Sequence, residues 1–456
     1  MPQRDFVIIG AGPAGEAAAN KARELGASVA IVDMGWFGGS CPHIGCLPSK
    51  ALLHAAARHL ADPGGYDWEQ ASRFRDWMVN RSPDAEEPDD GSHAAALAKV
   101  GAEVVRGRAT ISSPGVVEVR GPSGTHRLET RNIVLAVGST SRVPDIPGLV
   151  DTLPWTNREA TLARELPTSI VVLGGGPTAC ELAQVLARFD VPVTLVQSRD
   201  RLLPTDHARN ADVALAALRR DGVDVRLGSR AERVLPRAGS GGAHRVELAD
   251  GTSVEGHEIL VAVGRDLPVD GIGLEQYGID PQGGAGLPRD GSLRLADGLW
   301  AAGDIAGPEL HTHQGHYQGE LLVRMALGEP VAPDYRALPR ATYTDPELAF
   351  VGLSLEQAIA AGHDAFEVVA DLATSARGYT IEAELGHATI VVDRSDRTLL
   401  GAAIAAPDAT AAIHECVLAL KARITVDVLA DTIHAFPSTS RILNGLFAEA
   451  YRRLSG

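Results

Sequence analysis

Two segments of this chain share one pattern, an apolar strand that runs through a glycine-rich turn into an alanine-rich helix. Residues 6–15 read FVIIGAGPAG and residues 170–179 read IVVLGGGPTA. A second apolar strand follows each predicted helix. Strand, turn, helix and strand form a β-α-β unit of a parallel sheet, so two units predict an α/β chain with two doubly wound (Rossmann-like) nucleotide-binding domains. The helices are predicted over Ala14–Leu25 and Thr178–Phe189, and the second strands over 27–33 and 191–197.

The remaining segments complete a division of the chain into four parts. Apolar strands at 132–140, 258–266 and 298–307 end in small-residue turns and should return the chain between the two domains. After Pro330, strands alternate with longer helices without a glycine-rich turn, which predicts a separate α+β domain. The predicted boundaries are 1–150 and 268–332 for the two parts of the first nucleotide-binding domain, 151–267 for the second, and 333–456 for the C-terminal domain.

Composition limits the partners that such a chain can have. Its 456 residues include 42 Lys and Arg and 58 Asp and Glu, so the formal net charge is −16. Nucleic acids and anionic membranes are bound by clustered cations, and we expect neither as a partner. No stretch of about 20 residues is apolar enough to span a membrane, and the N-terminus does not resemble a signal peptide. Only four cysteines are present, as in a reducing compartment, so a cytoplasmic protein is expected.

The first glycine-rich turn has the residues that a dinucleotide requires. Gly10 permits the tight turn, Gly12 lets the backbone approach a pyrophosphate, and Gly15 allows close packing of the helix. The helix N-terminus offers free N–H groups to the anion. Asp33, at the end of the next strand, is placed to accept hydrogen bonds from a ribose.

The second turn differs at the position that selects the nucleotide. Its strand ends in Gln197, not in a carboxylate, and Ser198, Arg199 and Arg201 follow. A carboxylate there would repel a 2′-phosphate, whereas guanidinium groups attract one. The sequence therefore favours NADPH over NADH, although Arg201 could equally be a solvated surface group. The turn itself consists of Gly174, Gly176 and, in the third position, Ala179.

Cys41 and Cys46 lie in the segment GGSCPHIGCLPSK. Five residues apart, they would point to different faces of a regular helix, but Pro42 and Gly45 can distort the backbone enough to bring the sulfurs together. Cys46 is expected near a helix N-terminus, which lowers a thiol pKa. Two inert cysteines or a zinc site are weaker alternatives, since no second Cys/His pair has ligand spacing. The other cysteines, Cys180 and Cys416, lie in apolar helical patterns and are predicted to be structural.

Together these motifs identify a family. The segments GAGPAG, GGSCPHIGCLPSK, GGGPTACE, AAGDIAG followed by HTHQGHYQG, and TYTDPELAFVGLS resemble those of the FAD-dependent pyridine nucleotide–disulfide oxidoreductases. The resemblance covers essentially the whole length and points to the class I branch, which includes dihydrolipoamide dehydrogenase, glutathione reductase and mercuric reductase. It implies a homodimer formed through the C-terminal domain, with FAD and a nicotinamide nucleotide as cofactors.

The resemblance also implies roles for matching residues. Cys46 would face the flavin, Cys41 would meet the electron acceptor, and Lys50, paired with Glu181, would lie near flavin N5. The implied FAD-binding residues are Gly10, Gly12, Gly15, Asp33, Gly39, Ser40, Lys50, Gly138, Asp304 and His313. The implied NADPH-binding residues are Gly174, Gly176, Ala179, Glu181, Ser198, Arg199 and Gly264.

One departure from the family concerns the acid–base dyad of its disulfide reductases. They carry H-P-T-x-S-E near the C-terminus, where a histidine oriented by a glutamate protonates the leaving thiolate of the substrate at the partner subunit's active site. Here Phe436 and Arg441 stand at those two positions. His434, two residues earlier, is either a displaced base or a structural histidine. A metal site formed by the histidine-rich run 311–316 is a weaker alternative, and no metal is predicted.

These observations predict an NAD(P)H-dependent flavoprotein that passes electrons through FAD to a Cys41–Cys46 disulfide. The leading hypothesis for the acceptor is a specialised disulfide or other small thiol compound with a low-pKa leaving group, because that chemistry tolerates the loss of the acid. The alternatives are a metal-ion or quinone/oxidant reductase, and a redox-sensing or binding component without turnover.

Overall fold

The first nucleotide-binding domain is built on a sheet whose central strands are parallel and are buried towards their C-terminal ends. The computed structural model describes residues 3–82, 87–122, 124–237, 239, 241–284, 287–288 and 291–455. Up to residue 141, the elements are β1 (Arg4–Ile9), α1 (Pro13–Glu24), β2 (Val29–Asp33), α2 (Ser40–His43), α3 (Cys46–Ala61), α4 (Trp68–Asn80), α5 (Gly91–Lys99), β3 (Glu103–Arg106), β4 (Arg108–Ser113), β5 (Val116–Gly121), β6 (Gly124–Leu135) and β7 (Thr140–Ser141). Buried parallel strands are apolar on both faces, as the run of β1 predicts.

The second nucleotide-binding domain repeats this plan with a smaller sheet. Its elements are α6 (Asn157–Leu162), β8 (Ile170–Leu173), α7 (Pro177–Arg188), β9 (Val193–Val196), α8 (Ala208–Arg220), β10 (Asp224–Arg226), β11 (Ala231–Leu235), β12 (His244–Leu248), β13 (Ser253–Gly256), β14 (Glu258–Val261) and β15 (Arg265–Asp266). Strands β10, β9, β8 and β14 form a parallel sheet in that order, and β11–β13 form an antiparallel sheet. The predicted strand 258–266 is interrupted after Val261, and its end pairs with β7.

The chain then returns to the first domain. Strands β16 (Arg294–Ala296) and β17 (Leu299–Ala301) complete the sheet in the order β16-β17-β6-β1-β2-β3, with β4 and β5 attached through β6. Helix α9 (Thr312–Ala326) packs against α1, and the packing is close because Gly319 faces it. A Cβ atom on Gly319 would lie 2.2 Å from the carbonyl oxygen of Ala14.

The C-terminal domain is a layer of helices on an antiparallel sheet. Its elements are β18 (Pro339–Thr342), β19 (Glu347–Gly352), α10 (Leu355–Ala360), β20 (Ala365–Asp371), α11 (Ala376–Thr380), β21 (His387–Asp393), β22 (Leu399–Ala406), α12 (Ala409–Ala422), α13 (Val426–Asp431) and α14 (Thr439–Ser455). The strands run in the order β18-β19-β22-β21-β20. Strands β21 and β22 are almost wholly buried, and α12 and α14 share their apolar core.

The predicted fold class is confirmed: two doubly wound nucleotide-binding domains precede an α+β domain. The predicted helices 14–25 and 178–189 each begin one residue earlier, at Pro13 and Pro177, because proline suits the first position of a helix. The boundaries of the four predicted segments stay predictions. Within the described part of the chain, no helix has the length and apolar character needed to cross a membrane.

Candidate active site

Both glycine-rich turns open onto one cleft of about 2220 Å³. Most residues predicted to bind a cofactor line it, as do both cysteines of the motif. The two exceptions among the predicted cofactor residues are Gly15 and Ala179, which lie behind the turns. A Cβ on Gly15 would come within 2.0 Å of the Gly10 carbonyl oxygen, and Ala179 is completely buried. The third position of each motif therefore serves helix packing, as predicted.

The first turn forms a cradle that only glycines can shape. Gly39 has a φ of +71°, and a Cβ there would lie 2.7 Å from the Cα of Gly12. Gly12 is the N-cap of α1, whose first N–H groups face the cleft without a side-chain cap. Asp33 accepts hydrogen bonds from the main-chain N–H of Ala11 and Gly35, each at 2.7 Å. This arrangement fits a pyrophosphate at the helix N-terminus with a ribose near Asp33.

Asp304 lies where the two nucleotide-binding domains meet. It follows β17 in a short turn and accepts a hydrogen bond from the Ser139 hydroxyl. The Arg265 guanidinium donates to Ser139 Oγ at 2.5 Å and lies 3.8 Å from Asp304. Gly138 and Gly264, both predicted as cofactor residues, line the cleft beside this group. Arg265, which sequence reasoning missed, thus links the second domain to an expected flavin-binding carboxylate.

Two stacked histidines lie on the far side of this part of the cleft. The rings of His311 and His313 are 5.0 Å apart and nearly parallel. His313 Nε2 lies 2.9 Å from the Pro339 carbonyl oxygen. His311 Nε2 is buried with no hydrogen-bond partner among the described residues. Burial lowers the pKa of His311 to about 4, so this ring is neutral at pH 7. The unpartnered nitrogen and the glycine cradle both fit a flavin nucleotide in this part of the cleft.

The redox motif breaks into two helices between its cysteines. Helix α2 carries Cys41, and α3 begins at Cys46. Gly45, with φ −115° and ψ −112°, interrupts the helix between them, which is the distortion predicted from the sequence. Both cysteines are free thiols, and each changes the acidity of the other. Cys180 and Cys416 are completely buried in helices, as predicted for structural cysteines.

The surroundings of the two sulfurs give the two thiols different pKa values. The hydrogen bond from Cys41 lowers the pKa of Cys46 to about 6 against the effect of burial, and the hydroxyl of Thr312 and the ammonium of Lys50 contribute. Cys46 Sγ lies 3.5 Å from Thr312 Oγ1. The same Cys41–Cys46 hydrogen bond, together with burial, raises the pKa of Cys41. Cys46 is therefore a thiolate and Cys41 a thiol at pH 7.

Lys50 and Glu181 form the predicted ion pair. Lys50 Nζ donates to Glu181 Oε2 at 2.8 Å and lies 4.6 Å from the centroid of the Tyr343 ring. The other carboxylate oxygen of Glu181 accepts from the main-chain N–H of Tyr343 at 2.9 Å. Burial opposes charge on Lys50, yet Glu181 and the neighbouring Cys46 raise its pKa above the usual value. Lys50 is therefore a fixed cation beside the sulfurs.

A buried polar seam along α7 holds this pair in place. Gln184 accepts from the main-chain N–H of Asp345 at 2.8 Å and donates to its carbonyl oxygen at 3.1 Å. Arg188 donates to the Asp345 carboxylate at 2.8 Å and to Asp221 at 2.7 Å. Glu181, Gln184 and Arg188 are three and four residues apart, so they share one face of the helix. This α7 seam joins the second nucleotide-binding domain to the C-terminal domain.

Where the nicotinamide nucleotide is expected to bind, one of the predicted residues, Arg201, does not line the cleft. Ser198 and Arg199 line the cleft, as predicted. Arg201 instead points inward and donates to the carbonyl oxygen of Pro204 at 2.9 Å, so it is a structural residue. Arg230 also lines the cleft; its side chain is 71% exposed and pairs at 3.0 Å with Glu232, which lines the cleft as well. Gln197 is buried and donates to the Arg201 carbonyl oxygen, which supports this turn.

His434 has the contacts of a structural histidine. Its Nε2 lies 2.6 Å from Glu415 Oε1, and its Nδ1 lies 2.8 Å from the Thr432 carbonyl oxygen. Only 5% of its side chain is exposed, and it does not line the cleft. The hypothesis that His434 is a displaced base, acting at the partner subunit's active site, stays a prediction. Phe436 and Arg441 are exposed on the surface of the C-terminal domain.

Sequence reasoning missed Thr312, Tyr343, Arg230 and Arg265. Thr312 and Tyr343 lie within the motifs HTHQGHYQG and TYTDPELAFVGLS, but a threonine or a tyrosine does not by itself indicate a functional role. Arg230, just before β11, and Arg265, in β15, are distant in sequence from the glycine-rich turns, so only the folded chain brings them to the cleft. Among the described residues, no group of three or more histidine, cysteine, aspartate or glutamate side chains is arranged to hold a metal ion.

Comparisons with known proteins agree along the whole chain. Residues 4–319 match the family model for pyridine nucleotide-disulphide oxidoreductases, and residues 338–445 match its dimerisation domain. Dihydrolipoyl dehydrogenase of Chlorobaculum tepidum is 32% identical, covering 96% of this chain and 95% of the relative. That of Halobacterium salinarum is 31% identical, covering 96% and 94%.

Solved structures give the same result. The Cu(II) complex of the HOCl-induced flavoprotein disulfide reductase RclA from Escherichia coli superimposes with a TM-score of 0.86 at 27% identity, covering 98% of this chain and 100% of the other. LpdA from Mycobacterium tuberculosis has a TM-score of 0.86 at 29% identity, covering 98% and 99%. The chain belongs to the pyridine nucleotide-disulphide oxidoreductases, FAD-dependent enzymes that take electrons from NAD(P)H.

Proposed function

We propose that this enzyme oxidises NADPH, passes the electrons through FAD to a disulfide between Cys41 and Cys46, and reduces a specialised disulfide acceptor to its two thiols. The observation that carries the proposal is that both cysteines and the Lys50–Glu181 pair line the one cleft that both dinucleotide turns share. FAD, when bound, would relay the electron pair from the nicotinamide to the sulfurs. Within a family of enzymes, the non-turnover alternative has no support.

Arg199 and Arg230 would select NADPH over NADH. Both residues line the same cleft as Ser198, where Arg230 is paired with Glu232. A 2′-phosphate is bound well by guanidinium and hydroxyl donors. The absence of a carboxylate at Gln197 removes the group that would repel it.

The cysteines and their neighbours account for the reductive half of the reaction. Two electrons cleave the Cys41–Cys46 disulfide and leave a Cys46 thiolate, which the Thr312 hydroxyl and the Lys50 ammonium stabilise. The Cys41 sulfur takes up one proton and donates it in a hydrogen bond to Cys46. Lys50 stays charged throughout because Glu181 holds it, so the site offers a constant positive field to developing negative charge.

The same residues complete the turnover. Cys41 Sγ attacks one sulfur of the acceptor disulfide as its proton leaves, and the acceptor's first thiolate departs. Cys46 then attacks Cys41 Sγ, the mixed disulfide breaks, and the second thiolate departs. Phe436 and Arg441 offer no proton to either leaving thiolate, which is why we assign an acceptor whose thiols have low pKa values.

A second candidate acceptor is a metal ion. The observation that favours it is the match over nearly the whole chain to RclA, whose structure was solved as a Cu(II) complex. Electron transfer to Cu(II) needs no proton at the sulfurs, so the missing dyad would not slow it. This reaction would reduce two Cu(II) ions as the dithiol is oxidised to the disulfide.

Steady-state NADPH oxidation separates these functions. We expect rapid turnover with an activated disulfide such as 5,5′-dithiobis(2-nitrobenzoate), and slow turnover with glutathione disulfide or lipoamide. Cys41→Ser and Cys46→Ser should abolish the reaction, whereas Cys416→Ala, a buried control, should retain it. Cu(II)-dependent oxidation that is fast while every disulfide is slow would instead establish the metal-ion function. Cys41→Ser should also show a thiolate-to-flavin charge-transfer band without reductant, because Cys46 is then a free thiolate.

The C-terminal domain's match to a dimerisation domain supports a homodimer. We also propose a cytoplasmic location, on the basis of the sparse cysteines and the thiol chemistry of the site.

A further inference from the structure

One loop of the second nucleotide-binding domain connects the cleft with the C-terminal domain. It spans residues 197–207, between β9 and α8, and we call it the β9–α8 loop. At its far end, the ring of His207 lies 5.8 Å from that of Phe350 in β19, and His207 Nε2 lies 3.5 Å from Glu367 in β20. Four of its residues line the cleft in addition to Gln197, namely Ser198, Arg199, Pro204 and Thr205.

Main-chain bonds hold the first part of the β9–α8 loop within its own domain. The Arg199 carbonyl oxygen accepts from the N–H of Gly228 at 2.8 Å. The Leu203 N–H donates to the Gly175 carbonyl oxygen of the glycine-rich turn, also at 2.8 Å. Leu203 has a φ of +44°, in the left-handed region that residues other than glycine rarely adopt. Such a conformation persists only where neighbouring contacts hold it.

Asp206 supplies one of these contacts at the end of the loop. Its main-chain N–H donates to the Leu203 carbonyl oxygen at 2.9 Å. Its carboxylate Oδ1 accepts from the main-chain N–H of His207 at 2.6 Å and from the side-chain amide of Asn210 at 2.9 Å. The side chain that Asn210 holds is therefore joined directly to the residue in the left-handed conformation.

Asn210 is completely buried between α8 and the C-terminal sheet. Its Nδ2 also donates to the Ala349 carbonyl oxygen of β19 at 3.1 Å, and its Oδ1 lies 3.0 Å from His387 Nε2 of β21. Burial lowers the pKa of His387 to about 3, so the neutral ring donates to Asn210 and accepts from the Thr389 hydroxyl at 3.0 Å. Aspartate would lack the two amide donors, and leucine would lack all three polar groups.

Adhesion between the two domains does not depend on this polar link. Leu348 and Ala405 of the C-terminal sheet already share an apolar core with Ala214 and Leu218 of α8. Apolar contacts are not directional, whereas hydrogen bonds fix distances and angles. The bonds of Asn210 therefore add a defined orientation between the β9–α8 loop and the sheet.

We propose that Asn210 is a positioning residue for NADPH binding, which through Asp206 fixes the β9–α8 loop to the C-terminal sheet and so places Ser198 and Arg199 for the 2′-phosphate. The inference rests on the proposed selection of NADPH. It makes the C-terminal domain a determinant of nucleotide specificity. Neither Asn210 nor Asp206 lines the cleft, so both act through the loop.

Binding of adenosine 2′,5′-bisphosphate to the FAD-loaded enzyme tests the proposal, because this probe has the 2′-phosphate and lacks the nicotinamide. Asp206→Ala and Asn210→Leu should each raise its Kd about three- to tenfold, measured by calorimetry at constant ionic strength. In steady-state assays with 5,5′-dithiobis(2-nitrobenzoate), both should raise KM for NADPH with little change in kcat, the sign of lost substrate binding. KM for NADH should rise less, since NADH has no 2′-phosphate.

Two controls separate positioning from damage to the fold. Asp206→Asn keeps an oxygen that accepts from His207 and Asn210, so it should bind the bisphosphate at least as tightly as the wild type. Ile390→Val loosens the core of the same sheet away from the loop and should leave the Kd unchanged. The double variant of Asp206→Ala and Asn210→Leu should lose no more affinity than either single variant, because both changes break one link.

Unchanged bisphosphate affinity in Asp206→Ala would overturn the proposal, even if Asn210→Leu did not fold. Equal rises in KM for NADPH and NADH would also overturn it, as would a rise in Ile390→Val as large as in Asp206→Ala. Failure of the proposed NADPH selection has a different signature, which is a wild type that binds the bisphosphate no more tightly than adenosine 5′-monophosphate.

Discussion

Replacement of Thr312 by valine tests the origin of the low Cys46 pKa. The Thr312 hydroxyl lies 3.5 Å from Cys46 Sγ and supports the thiolate. A hydrogen bond to a charged group contributes about 1.5–3 kcal/mol, and one pKa unit corresponds to about 1.4 kcal/mol. Since the contact is long, we use the lower value, which is about one unit. Thr312→Val should therefore raise the pKa of Cys46 from about 6 to about 7.

The predicted rise in the Cys46 pKa changes the thiolate fraction most near pH 6.5. There, the thiolate fraction of Cys46 should fall from about three quarters to about one quarter. The assay is alkylation of the two-electron-reduced protein by iodoacetamide across a pH series, with the modified peptide identified by mass spectrometry. Because the pKa of Cys41 is raised, alkylation below pH 8 reports on Cys46. The charge-transfer absorbance provides a second titration of the same group.

Thr312→Ser is the matched control, since it keeps the hydroxyl and should titrate like the wild type. A Thr312→Val midpoint that coincides with that of the wild type would refute the assigned hydrogen bond. An equal shift in the serine variant would show that packing, not the hydroxyl, sets the acidity.

Three further predictions concern other parts of the chain. Arg199→Glu should lower the ratio of kcat/KM for NADPH over NADH about tenfold or more, in steady-state assays with both nucleotides. Phe436→His alone should change little, because Arg441 would depress the pKa of the new imidazole, whereas Phe436→His with Arg441→Glu should raise glutathione disulfide turnover, by up to about 10²-fold. Burial lowers the pKa of His387 to about 3, so stability should fall as pH falls from about 6.5 towards 3, by at most about 1.4 kcal/mol per pH unit. His387→Gln should flatten this acid dependence of the melting temperature.

Each of these three predictions would be contradicted by a specific result. Faster reduction by NADH than by NADPH in the wild type would contradict the role of Arg199. Rapid wild-type turnover of glutathione disulfide would show that another group supplies the proton. A melting temperature that falls equally steeply below pH 6.5 in His387→Gln and wild type would place the acid sensitivity elsewhere.

The sequence was sufficient for the fold and for the residues of the local motifs. Gly10, Gly12 and Asp33 lie close together in sequence, so spacing alone predicts their geometry. The interruption at Gly45 between α2 and α3 could likewise be predicted, because glycine is a residue type that breaks helices. His434 and Arg201 were ambiguous because their function depends on where the side chain points, and both turn out to bond within their own surroundings.

The parts that could not be predicted depend on contacts between distant segments. Thr312 reaches Cys46 across 266 positions, and the Tyr343 main-chain N–H reaches Glu181 across 162. Nothing in the sequence indicates that a threonine side chain or a main-chain N–H will form such a long-range hydrogen bond.

The α7 seam has a consequence for how such enzymes can be recombined. Glu181 belongs to one nucleotide-binding domain, its main-chain donor Tyr343 to the C-terminal domain, and its partner Lys50 to the other nucleotide-binding domain. A chimera that took its C-terminal domain from a relative would replace Tyr343 and Asp345 while keeping Gln184 and Arg188. Unless the donor's loop matched α7, the carboxylate beside Lys50 would lose its anchor. Exchange of acceptor specificity between relatives should therefore succeed only when α7 and the 343–345 loop are transferred as one unit.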